Sequence, residues 1–231
     1  MVVVVVVVEL KCYENGHYSL FIIIITLIFE SRGIIMSKLT INQQIAVKFL
    51  IDSRDFLLRY RILCERSLKS HAGMRYKLLT ELLFAAECAI KGMIFSESTN
   101  DENATYKQIL RHDLNKLLNQ VSSKERDVCS KYIDSKLRDI PIDIRYLTEG
   151  DKNFGTDGVL GEEYYDMAAN FDWQKSVYKN LCKLEEYINS KIPNKDFELI
   201  DLNKVDTDEM LKETYRIAKL GKPKKVSKKK Q

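Results

Sequence analysis

Apolar side chains along this chain recur every three or four residues from residue 41 onward, the spacing at which they line one face of an α-helix. The pattern predicts a first helix over about 41–68, opened by a capping box in which Thr40 and Gln43 exchange hydrogen bonds. A second helix is predicted over about 74–96. It is the most apolar segment of this half and contains small alanines, so we expect it to lie at the centre of the fold.

The later part of the chain predicts shorter helical segments. Residues 96–105 are polar without periodicity and are predicted to form a loop. Asp113 is placed to cap a third helix, with Leu110 and Leu114 on its apolar face and His112 on roughly the opposite side. The remaining predicted elements are a helix over about 123–138 with a capping box at Ser122 and Glu125, a long loop over 141–161, a closing helix over about 162–192 and a short helix over about 206–220.

These elements predict an all-α protein, an up-and-down bundle of four to five helices with a long loop before the closing helix and a basic C-terminal tail. Only nine glycines and three prolines occur in 231 residues, which also favours long helices. The predicted domains are an apolar extension over 1–35, the bundle over 36–195, and an acidic linker, short helix and lysine-rich tail over 196–231.

Residues 1–35 differ from the rest in composition. A run of seven valines is followed by an apolar stretch over 18–29, which is too short for the ~20 residues of a membrane-spanning helix. Three interpretations stay open: upstream sequence before a natural start at Met36, a signal or membrane anchor, and a genuine soluble extension. We expect no stable membrane span and a cytoplasmic protein, because five scattered cysteines are typical of reduced thiols.

The net charge of +4 comes from the tail, since residues 219–230 contain seven lysines and no acid. Such a tail either contacts the phosphates of a nucleic acid or is a solvated end, and both interpretations remain open. The loop over 151–162 resembles a calcium-binding loop at Asp151, Asn153 and Glu162, but Thr156 occupies the position that requires glycine. We therefore interpret it as a flexible surface loop and predict neither a metal nor a cofactor.

Arg66 and His71 are separated by four residues, a spacing that a metal-independent endoribonuclease could use. The histidine would transfer protons near neutral pH and the arginine would hold the phosphate. The alternative is that both residues complement the dipole at the end of the first helix. His112 is a further candidate for the catalytic histidine.

Three stretches carry a resemblance to a known family: ELLFAAECAIKGMIF over 81–95, HDLNKLL over 112–118 and IDIRYLTE over 142–149. With the long closing helix, they resemble the HEPN family of nucleotide-binding helical domains over about residues 41–192. The resemblance implies a helical bundle that often works as a homodimer in toxin–antitoxin, defence or RNA-processing systems. Some members are ribonucleases, and others are non-catalytic partners of small nucleotidyltransferases.

The resemblance also implies site residues. The matched positions are His112 and Asp113 in the His-Asp-Leu motif, Arg145 and Tyr146 in the Arg-Tyr pair, and Glu87 and Lys91 on the alanine-rich helix. The family's ribonuclease motif is normally late in the bundle, yet the closing helix contains neither arginine nor histidine. The resemblance therefore implies a non-catalytic module that binds RNA or a nucleotide with a partner. A ribonuclease and a purely structural dimerisation module remain the alternatives.

His112 itself has two possible roles. We hypothesise that it faces a polar cleft with Asp113 and Arg145 nearby, a combination that suits a phosphate or a nucleotide. The alternative is that His112 and Asp113 only fix the connection between two helices through hydrogen bonds.

Overall fold

The computed structural model describes residues 2–14, 17–29, 39–65, 72–141, 144, 147–156, 159–193, 201–210, 212 and 216. The chain divides into two compact units, Ile35–Ile200 and a second one made of Met1–Ile34 with Asp201–Gln231. The helices of the first unit are α1 (Ile41–Glu65), α2 (Ala72–Glu97), α3 (Glu102–Gln108), α4 (Leu114–Leu118), α5 (Ser123–Tyr132), α6 (Ser135–Asp139), α7 (Leu147–Phe154), α8 (Glu162–Asp166) and α9 (Phe171–Lys191).

Helices dominate the described chain, as the all-α prediction expected. The predicted number of four to five helices is not what the structure has, because nine α-helices and one 3-10 helix occur among the described residues. Three of them, α1, α2 and α9, are long and pack against one another, and the other six α-helices are short. The first two predicted helices are confirmed within a few residues of their expected ends.

Helix α2 is the central helix of this unit, as its apolar sequence predicted. It contacts α1, α4, α7 and α9, and more than half of its residues are buried. Its fully buried residues include Leu78, Leu79, Leu82, Ala85, Ala86, Ala89, Ile90, Met93 and Phe95. Because α2 is packed against four other helices, the backbone that positions a polar side chain at its edge is fixed in place.

Several predicted boundaries were wrong because short helices interrupt the expected ones. The predicted loop over 96–105 contains the start of α3, where Asp101 caps the helix by accepting a hydrogen bond from the Ala104 backbone N–H at 3.0 Å. The third predicted helix is only the five residues of α4. Leu110, which was placed on its apolar face, is 77% exposed.

The predicted helix over 123–138 is divided into α5 and α6. The chain breaks near Asp134, whose carboxylate caps α6 by accepting from the Lys136 N–H at 2.8 Å. The predicted capping box at Ser122 and Glu125 does not form. The Ser122 hydroxyl instead donates to Glu97 at 2.8 Å, and Glu125 is buried against α9.

The predicted loop over 141–161 also contains regular structure, namely α7 and the short antiparallel strands β3 (Gly155–Thr156) and β4 (Val159–Leu160). Asp151 lies in α7 and accepts a hydrogen bond from the Tyr76 hydroxyl at 2.8 Å, so the interpretation as a flexible loop was wrong. The predicted closing helix is divided into α8 and α9, because Asn170 starts a new helix by accepting from the Trp173 N–H at 2.9 Å.

The second unit contains a hairpin that the helical interpretation did not anticipate. Strand β1 (Val2–Glu14) pairs antiparallel with β2 (His17–Phe29), from Val2 opposite Phe29 to Glu14 opposite His17. A 3-10 helix, Leu202–Lys204, and a helical turn at 207–210 follow later in the chain. In the part of the chain that the structure describes, no helix has both the length and the apolar character of a membrane span.

Candidate functional site

Glu87 is a buried carboxylate at an edge of α2, and its side chain is only 6% exposed. The Nδ1 atom of His112 lies 3.0 Å and 3.1 Å from its two oxygens. The Lys91 ammonium donates to the same carboxylate at 2.7 Å from one helical turn further along α2. The structure thus brings together three residues that the sequence had predicted as ligand-binding, and we call them the Glu87 site.

His112 reaches this position because its neighbours in the chain are anchored. Ile109 and Leu114 are buried on either side of it, at the end of α3 and the start of α4. Asp113 caps α4 by accepting a hydrogen bond from the Lys116 N–H at 2.9 Å. The short connection therefore has little freedom, and the imidazole is set against α2.

The hydrogen bond to Glu87 determines which nitrogen of His112 carries the proton. A carboxylate only accepts hydrogen bonds, so Nδ1 must be the donor, and Nε2 of the neutral ring keeps its lone pair. The imidazole is 63% exposed, whereas its carboxylate partner is buried. The arrangement presents an oriented ring to solvent with Nε2 ready to accept a hydrogen bond, or to donate one when the ring is protonated.

Asp113 is the N-cap of α4, as the sequence predicted. Its carboxylate accepts the backbone N–H of Lys116 and also lies 3.1 Å from the Lys116 ammonium. The backbone hydrogen bond from Lys116 lowers the pKa of Asp113. The oxygens of Asp113 are therefore engaged at the helix cap. The other predicted site residues, Arg66, His71, Arg145 and Tyr146, lie outside the described residues.

A second buried carboxylate, Glu185 on α9, was not anticipated from the sequence. Arg54 Nη1 donates to it at 2.7 Å, and the Ser53 hydroxyl lies 2.5 Å from its other oxygen. Burial raises the pKa of Glu185 to about 7, although Arg54 and Ser53 act in the opposite direction. The sequence did contain a signal for this pair, because Arg54 interrupts the apolar pattern of α1 and Glu185 interrupts that of α9. This network is enclosed between α1, α2 and α9, so it serves the core and offers no access to a ligand.

A cleft of about 670 Å³ opens beside α6, α7 and α8. Its lining contains three carboxylates and one lysine, and that lysine, Lys136, is paired with Asp166 at 2.9 Å. The lining residues are Lys136, Asp139, Ile140, Pro141, Asn153, Phe154, Glu163, Asp166 and Met167. This acidic lining is poorly suited to a phosphate, so the cleft and the Glu87 site favour ligands of different charge.

Among the residues that the structure describes, no group of three or more His, Cys, Asp or Glu side chains is arranged to hold a metal ion. Comparison with protein-family models, with curated proteins and with solved structures finds no match for this chain.

Proposed function

We propose that the helical bundle is a binding module for RNA or a nucleotide, without a catalytic centre of its own, and that it acts together with a partner protein. The observation that carries this proposal is the exposed imidazole of His112, oriented by the buried carboxylate of Glu87. The resemblance to the HEPN family supports the same ligand class. It also favours a cytoplasmic homodimer with a small nucleotidyltransferase as partner, in a toxin–antitoxin, defence or RNA-processing setting.

The chemistry of the site fits a ligand that carries both hydroxyl and phosphate groups. The lone pair on Nε2 of neutral His112 can accept a hydrogen bond from a ribose hydroxyl. The protonated ring can donate a charge-assisted hydrogen bond to a phosphate oxygen. Arg111 and Lys116, on either side of His112 in the chain, are exposed and add positive charge near the ring.

A metal-independent ribonuclease is the second candidate, and one observation favours it. A carboxylate that holds the Nδ1 proton of a histidine is the arrangement that keeps Nε2 available as a general base. We rank this candidate below a binding module because Glu87 is buried and already bound to Lys91, so His112 is the single exposed acid–base group of the Glu87 site.

The test uses the full chain and its His112→Ala variant, with fluorescence anisotropy of a labelled single-stranded RNA and competition by AMP. We expect His112→Ala to weaken binding about 10- to 150-fold, the loss of one hydrogen bond to a charged group. Lys131→Ala, at an exposed position of α5, is the matched control and should bind like the wild type. Circular dichroism checks that each variant is folded.

A folded His112→Ala variant with wild-type affinity would contradict the proposed function, as would a wild-type protein that binds neither ligand. The same RNA is examined on a denaturing gel with EDTA present. Cleavage that persists in EDTA and disappears in His112→Ala would favour the ribonuclease over the binding module.

A further inference from the structure

The edge of α2 that holds His112 also supports an exposed aromatic side chain. Glu87, Lys91 and Phe95 follow one another at intervals of four residues, so they lie along one face of α2. Phe95 is fully buried, and its ring contacts Tyr106 of α3 with centroids 4.9 Å apart and planes at 66°. His112 and Tyr106 are therefore held against the same face of one helix.

The spacing between these two contacts follows from helix geometry. Glu87 and Phe95 are eight residues apart, which is about 12 Å along the axis at 1.5 Å per residue. Tyr106 is 41% exposed although its ring contacts Phe95, so part of the ring surface faces solvent. An imidazole and an aromatic ring, two different recognition groups, thus contact α2 at positions that are about 12 Å apart along its axis.

Most residues from Tyr106 in α3 to Lys116 in α4 are exposed, and we call this segment the α3–α4 strip. Leu110 within it is 77% exposed. The exposed charged residues of the strip are Lys107, Arg111, Asp113 and Lys116. The single carboxylate among them, Asp113, is engaged by the helix cap and by Lys116. The strip therefore combines excess positive charge with exposed apolar and aromatic surface.

We propose that the α3–α4 strip binds single-stranded RNA, with a nucleobase stacked on Tyr106, a backbone phosphate contacted by Arg111 and a 2′-hydroxyl bound at His112. This inference rests on the proposed function and narrows its ligand from a nucleotide to a strand. Aromatic side chains bind unpaired bases by stacking, whereas the bases of a duplex are not available to them. Nε2 of His112 can accept a hydrogen bond from a 2′-hydroxyl, which favours RNA over DNA.

The separation of the two contacts is the reason for choosing a strand over a mononucleotide. A stacked strand rises about 3.4 Å per nucleotide, so about 12 Å corresponds to three or four nucleotides. A mononucleotide would reach only one end of the strip. Binding of RNA should therefore depend on Tyr106 and His112 together, while binding of AMP at the His112 end should not depend on Tyr106.

The experiment measures fluorescence anisotropy of a labelled eight-nucleotide oligoadenylate, as RNA and as DNA, with the full chain and with AMP as competitor. Tyr106→Leu should weaken RNA binding about 5- to 150-fold, the range for loss of one stacked base, and leave AMP competition unchanged. Tyr106→Phe keeps the ring and should bind like the wild type. Tyr165→Leu removes an even more exposed tyrosine from α8 and serves as the control.

The outcomes separate this inference from the proposed function. If AMP and RNA both bind through His112 but Tyr106→Leu binds RNA as well as the wild type does, stacking is refuted while the proposed function stands. Equal affinity for DNA and RNA would refute the preference for RNA. If the wild type binds neither AMP nor RNA, the proposed function fails, and this inference fails with it.

Salt dependence tests the phosphate contacts independently. For single strands, the slope of the logarithm of affinity against the logarithm of salt concentration changes by about 0.7 for each phosphate contact. Arg111→Gln should therefore reduce the slope by about 0.7. An unchanged slope in this variant would show that Arg111 does not contact a phosphate.

Discussion

The carboxyl group of Glu185 should set how the stability of the helical unit depends on pH. Its side chain is fully buried, with the Ser53 hydroxyl at 2.5 Å and Arg54 Nη1 at 2.7 Å. Burial disfavours the charged carboxylate, whereas the arginine and the hydroxyl favour it. Burial prevails and raises the pKa of Glu185 to about 7.

The direction of the pH effect follows from this raised pKa. The unfolded chain loses the Glu185 proton near pH 4.5, but the folded protein keeps it until about pH 7. Its contribution to the free energy of unfolding is therefore complete below pH 4.5 and is lost as the pH rises to about 7. A fully titrating group changes this free energy by about 1.4 kcal/mol per pH unit, so the whole effect is about 3 kcal/mol.

Urea unfolding followed by circular dichroism between pH 5 and pH 8 measures this effect in the full chain and in Glu185→Gln. Burial also raises the pKa of Asp55 and of Glu81 to about 7, so the informative quantity is the difference between the two proteins. We expect the wild type to lose about 2 to 3 kcal/mol relative to Glu185→Gln over this range. Glu162→Gln, at an exposed position of α8, is the matched control and should parallel the wild type.

The sign of the measured difference shows whether burial or the attraction of Arg54 has the larger effect on the pKa of Glu185. If the wild type instead gained stability relative to Glu185→Gln as the pH rose, attraction to Arg54 would outweigh burial, and the reasoning would be wrong. Parallel curves would also refute it, because they would mean that Glu185 has the same pKa in the folded and unfolded chains.

Three further substitutions test other contacts. Gly150→Ala would place a Cβ 2.6 Å from the buried Tyr76 ring and should cost about 1–3 kcal/mol in urea unfolding, whereas Gly73→Ala, with no atom within 4 Å, should cost less; equal costs would contradict the clash. Asp113→Ala removes a helix cap and should cost about 0.5–2 kcal/mol in a thermal melt, and an unchanged melting temperature would contradict the cap. Tyr187→Phe removes a hydrogen bond to a buried carboxylate on α5 and should cost about 1–3 kcal/mol in urea unfolding, and an unchanged midpoint would refute that estimate.

The long helices were predictable because their signals are local and repeated. The capping box before α1 forms as predicted: the Thr40 hydroxyl accepts from the Gln43 N–H at 3.2 Å, and the Gln43 side chain accepts from the Thr40 N–H at 3.0 Å. The two capping residues are only three positions apart, and many turns of apolar periodicity follow them. The same kind of local pattern predicted α2 and its central position.

The lengths of the short helices were predicted wrongly because helices of five to ten residues present too few turns for a periodic pattern. The starts of α3, α6 and α9 were nevertheless signalled in the sequence by Asp101, Asp134 and Asn170. The capping-box motif at Ser122 is present in the sequence but does not form, because the Ser122 hydroxyl donates to Glu97, 25 residues away. Distant contacts of this kind cannot be read from spacing.

The hairpin β1–β2 also had a sequence signal. Runs of β-branched residues flank Asn15 and Gly16, the dipeptide most typical of a tight hairpin connection. The valine run was interpreted as low complexity, and this obscured the pairing. Whether residues 1–35 belong to the natural protein is a separate prediction, which the paired strands do not test.

The three buried glutamates among the described residues differ in what they accomplish, and the difference favours a function for Glu87. Glu185 is enclosed with Arg54, and Glu125 joins α5 to α9 through Tyr187 and Lys191. A buried ion pair is often no more stable than an apolar pair of the same shape, so Glu87 and Lys91 are not explained by stability alone. The second partner of Glu87 is an imidazole that is 63% exposed, so this bond contributes little to the core. What the bond does accomplish is to fix the orientation of a titratable ring at the surface, as a ligand site requires.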